Sequence, residues 1–209
     1  SKGKYLTYEI AKELAEADGV LVLTHVKGHT CSGFGGAIKN LGMGALSPKS
    51  KADVHEGGSP VYAGGCTLCK SCGKVCPVNA IKYTEKGPSF NYDACFGCSK
   101  CFYACKFNAI KPKVAAFDAL LADAAKSALG VFKKAYFVNV LRNITKFCDC
   151  STVKDNPTVL GDIGIVMGDD IVAVEKFSHE KIVEAAGKDL FLEIWHKSPL
   201  VHIEEFERL

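Results

Sequence analysis

The sequence predicts an α/β body, with a mixed or parallel sheet and flanking helices, that is interrupted by a small cysteine-rich α+β domain. Helical patterns alternate with short apolar runs at both ends of the 209-residue chain. Between them, one central stretch holds most of the 11 cysteines and has glycine- and proline-rich borders. We expect domain segments at 1–60, 61–113 and 114–209, with the outer two forming one domain because neither is large alone.

The first segment is predicted to begin with a helix followed by a strand. Apolar residues keep helical spacing over residues 7–18, and an Asp-Gly pair ends the pattern. The continuous apolar run from Val20 to Thr24 is too short for a helix and is typical of a buried strand. It leads into a loop that holds five glycines from Gly33 to Gly44 and reaches Lys51 and His55. In open α/β sheets ligands bind beyond the carboxyl ends of strands, so we expect a site there.

The central cysteines form two copies of one spacing. The first copy is Cys66, Cys69, Cys72 and Cys76, and the second is Cys95, Cys98, Cys101 and Cys105. Three thiolates at three-residue intervals can surround one iron-sulfur cube, and in two-cluster proteins the fourth cysteine of each run ligates the other cluster. We therefore assign cluster I to Cys66, Cys69, Cys72 and Cys105, and cluster II to Cys95, Cys98, Cys101 and Cys76. The spacing predicts a ferredoxin-like domain with two [4Fe-4S] clusters.

Three other interpretations of these cysteines fit less well. A structural zinc site uses two separated pairs of cysteines and has no use for a third cysteine three residues later. A disulfide framework is typical of small secreted chains, whereas this sequence has an odd number of cysteines and does not start with a signal-peptide pattern. Free buried cysteines would show no regular period.

The remaining elements are predicted from periodicity and from turn residues. Within the cysteine-rich segment, short strands are expected near 80–83 and 88–90. The third segment is expected to hold strands at 135–141 and 158–167. It is also expected to hold helices at 115–129, at 171–186 with Asp170 as the cap, and at 190–195. Asp162 falls inside one predicted strand. A buried carboxylate needs a partner, so backbone hydrogen bonding and a ligand role both remain open.

Composition excludes several classes of function. The formal net charge is only +3, and the sequence has no concentrated stripe of lysine and arginine, so we expect no nucleic-acid partner. The sequence also has no apolar run near the roughly 18 residues of a membrane span, so we expect no membrane partner. With reduced cysteines and no signal-peptide pattern, the sequence predicts a cytoplasmic protein.

His25, Lys27 and His29 are candidate catalytic residues at the end of the first predicted strand. They alternate along the chain, so they share one face if the strand continues. Imidazoles and an amine in a pocket can bind a metal, hold a carboxylate or transfer a proton. The alternative is that these are hydrogen-bonded structural residues.

Cys148, Asp149 and Cys150 form a second candidate group. A disulfide across a single residue is strained, so we expect the two thiols not to pair. They can instead chelate a soft metal, or one thiol can act as a nucleophile beside the carboxylate. We expect them to face the histidine loop across a cleft near one of the clusters, where Cys31 could join them. The alternative is a pair of small half-buried residues at a turn.

The glycine-rich loop does not match a nucleotide-binding motif. Phe34 and Gly35 stand where a P-loop needs lysine and serine or threonine, and Ile38 stands at the last glycine of a dinucleotide fingerprint. Binding of a small anion by backbone amides, helped by Lys27 and Lys39, remains open. The alternative is that close packing requires the glycines.

One longer stretch resembles a known family. It runs Leu21-Val22-Leu23-Thr24-His25-Val26-Lys27-Gly28-His29 and continues through the glycines from Gly33 to Gly44. This stretch resembles the uncharacterised iron-sulfur center proteins catalogued as domain of unknown function 362, whose pattern recurs at Cys148-Asp149-Cys150 and Asp162-Ile163-Gly164. The resemblance implies a two-cluster ferredoxin segment between the motifs, and a longer amino end than this chain has. It implies no particular reaction.

These expectations combine into an iron-sulfur oxidoreductase module of unknown substrate. Electrons from a redox partner protein would pass through the two clusters to the loop from His25 to Gly44, with residues 148–150 contributing and with an additional metal or a small anionic ligand bound there. One alternative is a non-enzymatic ferredoxin-like carrier, which predicts redox activity without substrate affinity. Another is a binding or sensing protein, which predicts loss of partner binding on oxidation.

Overall fold

The computed structural model describes residues 1–151 and 153–209 and has a mixed α/β fold. The strands are β1 (Val20–His25), β2 (Lys27–His29), β3 (Gly33–Gly35), β4 (Pro60–Tyr62), β5 (Ile81–Thr84), β6 (Gly87–Phe90), β7 (Ile110–Pro112), β8 (Ala135–Leu141), β9 (Ile144–Thr145), β10 (Thr158–Leu160) and β11 (Gly164–Gly168). The helices are α1 (Lys12–Glu16), α2 (Ala37–Lys39), α3 (Pro48–Gly57), α4 (Ser71–Lys74), α5 (Lys100–Tyr103), α6 (Phe117–Leu129), α7 (Ile171–Ala186), α8 (Leu190–Trp195) and α9 (Val201–Arg208), with a π-helical turn at Asn40–Gly44.

The main sheet has three strands in the order β1-β8-β11. Strand β1 pairs in parallel with β8, with Val20 opposite Ala135, and β11 pairs antiparallel to β8, with Gly164 opposite Leu141. The predicted mixed sheet with flanking helices is therefore confirmed. Because β1 and β8 come from opposite sides of the cysteine-rich segment in the chain, the first and third segments build one sheet together.

Within the described residues, helices bury one face of this sheet and leave the other face uncovered. Phe137 and Leu141 on β8 lie in the main core, which includes residues of α6 and α7. On the other face Leu21 and Leu23 are 63% and 62% exposed, and Met167 on β11 is 58% exposed. The prediction of a buried first strand is wrong for this face, because β1 is an edge strand and the described helices pack on the opposite side.

The predicted amino-terminal helix is much shorter than expected. Only Lys12–Glu16 is helical, because the preceding residues make tertiary contacts instead. Ile10 forms an isolated bridge with Leu46, and the buried Tyr8 donates its hydroxyl to Asp123 Oδ2 at 2.9 Å. These contacts override the local helical pattern.

The predictions for the third segment are confirmed except at one strand. Helices α6, α7 and α8 and strand β8 lie where the sequence predicted them, and Asp170 Oδ1 caps α7 by accepting from Val172 N at 2.8 Å. The predicted strand at 158–167 is two strands, β10 and β11. Asp162 lies exposed in their connection, where it accepts from Asn143 N at 3.0 Å and pairs with Arg142 Nε at 2.9 Å. The expectation of a buried carboxylate is corrected.

Close packing accounts for part of the glycine-rich stretch. A Cβ atom added to Gly28 would lie 2.1 Å from the Lys146 carbonyl oxygen, and one added to Gly36 would lie 2.0 Å from Glu175 Oε1. The fully buried Glu175 carboxylate accepts hydrogen bonds from the Ala37 amide and from Asn139 Nδ2. It therefore anchors the glycine-rich loop to α7.

A buried ion pair joins distant segments of the chain. Lys197 Nζ lies 2.5 Å from Asp118 Oδ2, and their side chains are 4% and 0% exposed. Tyr103 from the second cysteine run donates its hydroxyl to the same carboxylate oxygen at 3.1 Å, and Lys197 also donates to the Cys31 carbonyl. The pair thus connects α6, the carboxyl-terminal region, the glycine-rich loop and the cysteine-rich segment.

Candidate functional site

Two small cavities in the cysteine-rich segment are each lined by four cysteines. Cys66, Cys69, Cys72 and Cys105 line the first, and Cys76, Cys95, Cys98 and Cys101 line the second. In each quartet three cysteines come from one run and the fourth comes from the other. Four thiols that converge on one space form the donor set that a cubic iron-sulfur cluster requires, so the residues fit such a cofactor.

The backbone of the two runs repeats the same unusual conformation. Lys70 and Ser99, which precede α4 and α5, have φ of 61° and 58°, and Asn79 and Asn108 have φ of 50° and 54°. Left-handed backbone is uncommon outside glycine, although asparagine tolerates it. The recurrence at matching positions shows that the duplication seen in the sequence is also a duplication of local structure.

Backbone amides point at cysteine sulfurs in both runs. Leu68 N donates to Cys66 Sγ at 3.3 Å, and Gly97 N, at the matching position, donates to Cys95 Sγ at 3.5 Å. Gly97 has φ of 66°, and a Cβ there would lie 1.7 Å from the His55 carbonyl oxygen. Glycine is therefore needed at the point where the second run packs against α3. Such amide–sulfur contacts stabilise thiolate charge.

A larger cavity of about 720 Å³ is lined by both the cysteine-rich segment and the α/β body. Val78 and Phe96 line this cavity and also the cavity of the second cysteine quartet, so the two spaces are neighbours. The body contributes histidine, lysine, cysteine and aromatic residues; these include His29, Cys31, Lys39, Lys51, His55, Phe117, Phe147, Cys148 and Cys150.

Two imidazoles face this cavity, that of the buried His29 and that of the half-buried His55. His29 Nδ1 lies 2.9 Å from Ser32 Oγ, whose hydroxyl donates to the Phe34 carbonyl at 2.8 Å. His55 Nδ1 lies 2.7 Å from the Phe96 carbonyl oxygen and can donate to it. Burial lowers the pKa of His29 well below its usual range and also lowers the pKa of His55. Both rings are therefore neutral near pH 7, and each can accept a proton or a metal ion.

The charged side chains that line the larger cavity are basic. Lys39 and Lys51 both reach it, and none of its lining residues in the described part of the chain is acidic. Burial lowers the pKa of Lys39, which then loses its charge at a lower pH than an ordinary lysine. Phe117 and Phe147 supply apolar wall. This combination suits a small anion with an apolar body.

Cys148 and Cys150 are joined by a disulfide, which corrects the prediction that they do not pair. A turn explains the difference, since Ser151 N donates to the Cys148 carbonyl at 3.0 Å and the two cysteine Cα atoms are 5.3 Å apart. That separation lies inside the usual range for disulfides. Sequence spacing alone does not show that the chain turns here.

The disulfide lies between two cavities. Besides the larger cavity, it lines a second cavity of about 270 Å³ together with His25, Lys27 and Asp149. The predicted histidine loop and the Cys148–Cys150 segment therefore do meet across a cleft. His29 reaches the pair from the larger cavity, and its donor nitrogen and the two sulfurs lie within 4.8 Å of one another.

The sequence predicted that His25, Lys27 and His29 share one face if the first strand continues through them. The strand does not continue, and the three residues do not share one face. Strand β1 ends at His25, and the chain turns into the β2–β3 hairpin. His25 is exposed, with Nε2 2.5 Å from the Arg142 carbonyl oxygen, whereas Lys27 and His29 are buried. The hairpin thus distributes the three side chains between the two cavities.

An ion pair holds the disulfide segment against the hairpin. Lys27 Nζ lies 2.6 Å from Asp149 Oδ2. The hydrogen bond from Lys27 lowers the pKa of the Asp149 carboxyl. Asp149 is therefore ionised near pH 7, and its ion pair ties the Cys148–Cys150 segment to β2.

Sequence reasoning did not identify several residues that line the larger cavity. His55 and Lys51 were expected at the far end of the glycine-rich loop but lie on α3, and Phe96 lies between two cysteines. Cys31, which was considered as a further member of the site, is buried, and burial raises the pKa of its thiol. It is thus a protonated thiol near pH 7.

The fold and the site define a mixed α/β protein with a duplicated cysteine segment beside a ligand-sized cavity. The chain belongs to the family described as Domain of unknown function (DUF362), which matches residues 1–180. No curated protein and no solved structure matches the chain. In the described residues no helix has the length and apolar content needed to cross a bilayer.

Proposed function

We propose that this protein is an iron-sulfur oxidoreductase module. Electrons from a redox partner protein pass through two [4Fe-4S] clusters to a ligand or metal site on the α/β body. One observation carries the proposal: two convergent cysteine quartets are built crosswise from both runs, and the second adjoins the 720 Å³ cavity through Val78 and Phe96. The compartment we propose is the cytoplasm, where thiols stay reduced.

The chain's own residues have distinct roles in this proposal. The crossed quartets hold the two clusters, which when bound supply electrons one at a time. Phe96 and Val78 form an apolar part of the wall between the second quartet and the larger cavity. Neutral His29 can accept or return a proton in that cavity. Such a cavity favours an enzyme over a simple electron carrier, because a carrier needs no ligand site.

An iron count tests the proposal. Protein purified without oxygen is expected to contain about eight irons and about eight acid-labile sulfides per chain. Reduction with dithionite should produce the electron paramagnetic resonance signals of reduced clusters, which zinc-filled cysteines cannot give. Protein that contains zinc in the quartets, with iron below about one per chain, would overturn the proposal.

The larger cavity is expected to bind a small organic anion through Lys39. Benzoate is a suitable probe, because it combines a carboxylate with an aromatic ring. Lys39→Met should weaken benzoate binding about 10-fold, since a hydrogen bond to a charged group contributes about 1.5 kcal/mol or more. Titration calorimetry at neutral pH measures this. Affinity should fall as pH rises through the lowered pKa of Lys39, because only the protonated amine attracts the anion.

A matched lysine on α3 provides the control. Lys49 is exposed, lies outside the cavity lining and pairs with Asp53 at 2.7 Å. Lys49→Met should therefore leave benzoate affinity unchanged. Equal affinities for the Lys39 and Lys49 variants, or binding without any pH dependence in the wild type, would show that Lys39 does not recognise the anion.

A further inference from the structure

We propose that His29, Cys148 and Cys150 form a binding site for a soft or borderline divalent cation such as zinc or nickel. One nitrogen and two sulfur donor atoms lie within 4.8 Å of one another. Imidazole and thiolate are the ligands that these cations prefer. The role of this cation site rests on the proposed function, because we place the site where the electrons arrive. Cation binding itself does not depend on the clusters.

The surroundings of His29 orient it as a ligand. The Ser32 backbone amide donates to His29 Nδ1 at 3.2 Å, and Ser32 Oγ lies 2.9 Å from the same nitrogen, so two contacts fix the ring. Ser32 Oγ gives its own proton to the Phe34 carbonyl at 2.8 Å, so it can accept the ring proton at Nδ1 when Nε2 binds a cation. Histidines that bind metals usually donate their other N–H group to an oxygen acceptor, which fixes the ring. The residue is also 6% exposed, so Nε2 is shielded from bulk water.

The two cysteines can be in either of two chemical states. In the structure their sulfurs form a disulfide. Addition of two electrons breaks the sulfur–sulfur bond and gives two thiolates, and a divalent cation then occupies the place that two protons would take. The electrons come from a dithiol or phosphine, or from two one-electron donors such as two reduced iron-sulfur clusters. Oxidation reverses the step and releases the cation, so the site is available only in reduced protein.

Neighbouring charges favour the thiolate form. Lys39 lines both cavities that contain the cysteine pair, and Lys27 lines the smaller one. Lys27 Nζ lies 2.6 Å from Asp149 Oδ2, and Asp149 stands between the two cysteines in the chain. Nearby cations lower the energy of thiolates. Lys39 is therefore the neighbouring charge that favours the thiolates, because Asp149 offsets the charge of Lys27.

Three protein ligands leave a coordination position for an exogenous ligand. Zinc sites that bind substrate have three protein ligands and an open fourth position, whereas structural sites are closed by four. His29 and the cysteine pair line the 720 Å³ cavity, whose Lys39 and Lys51 suit an anion. An anionic ligand could thus contact the cation from inside this cavity. The site is of the open type that takes part in chemistry.

Cobalt binding to cluster-loaded protein tests the inference. Protein purified without oxygen, reduced with a phosphine and freed of reductant, is titrated with Co²⁺ alone. The expected result is one equivalent of cobalt per chain with thiolate-to-cobalt charge-transfer absorption, displaced by Zn²⁺. His29→Gln and the double variant Cys148→Ser/Cys150→Ser should bind at least about 100-fold more weakly. Protein left in the disulfide form should bind no cobalt with thiolate absorption.

A matched histidine variant and the iron content separate the possible outcomes. His196 is exposed and lies outside this group, so His196→Gln should bind cobalt like the wild type. Unchanged iron content and thermal unfolding show that a variant is folded. Cobalt binding that survives in His29→Gln or in the double cysteine variant overturns the metal site. Iron-free wild-type protein that binds cobalt, with one equivalent of it lost in the double cysteine variant, would overturn the cluster proposal instead and leave the metal site intact.

Discussion

Replacing Cys76 and Cys95 together by serine is expected to remove about four of the roughly eight irons, whereas replacing Cys76 and Cys66 together removes nearly all of them. The reason is the crossed arrangement of the quartets. Cys76 and Cys95 line the same cavity although they come from different runs, while Cys66 and Cys76 share a run but line different cavities. Iron and sulfide analysis of protein purified without oxygen measures the difference.

The opposite ranking would show that each run ligates its own cluster. In that case the pair from one run would lose half the iron and the pair from different runs would lose all of it. Cys31→Ser is the control, because Cys31 is a buried thiol outside both quartets and its loss should leave the iron content unchanged. The two double variants remove the same number of thiols, so a general effect of cysteine loss cannot produce the expected difference.

Asp118→Asn is expected to lower the thermal unfolding midpoint of the cluster-loaded protein by about 6 to 20 °C. The substitution leaves the buried Lys197 ammonium without a charged partner, and breaking a buried pair in this way costs about 3 to 5 kcal/mol. For a chain of this size each kcal/mol shifts the midpoint by about 2 to 4 °C. The pair also joins four segments, so its loss should loosen the packing around Cys31 and Tyr103.

A surface pair controls for the loss of a carboxylate. Glu193 pairs with Lys188 at 2.7 Å with both side chains more than half exposed, so Glu193→Gln should shift the midpoint by less than about 2 °C. The double variant Asp118→Asn/Lys197→Met removes the unpaired charge and should recover much of the loss. An Asp118→Asn midpoint no lower than that of Glu193→Gln would show that the buried pair does not stabilise the fold.

The features that the sequence predicted well are those encoded by local spacing. The cysteine quartets could be assigned because ligand spacing within each run and the duplication of the run are visible in a few dozen residues. Helix α7 could be placed because Asp170 caps it and its apolar residues are periodic. The meeting of His25 with the Cys148–Cys150 segment was expected from the complementary chemistry of the two candidate groups, and the structure places both at one cavity.

The features that the sequence did not predict depend on contacts between distant residues. The apolar run predicts that Leu21 and Leu23 are buried. Their exposure depends on the order of the strands in the sheet and on which face the helices cover. The sequence of the run contains no information on either of these. Lys197 and Asp118 look like ordinary surface charges until the fold brings them together. The Cys148–Cys150 bridge depends on a turn with no strong sequence signal.

The order of strands in the sheet also has a consequence for folding kinetics. Strand β1 can pair with β8 only after the entire cysteine-rich segment has been enclosed in a loop. The entropy cost of closing a loop grows with its length, and chains dominated by distant pairings fold slowly. Ligation that crosses between the two cysteine runs shortens this loop, so filling the quartets should speed formation of the sheet. A chain that cannot acquire its cofactors should remain longer with β1 and β8 unpaired, and unpaired strand edges favour aggregation.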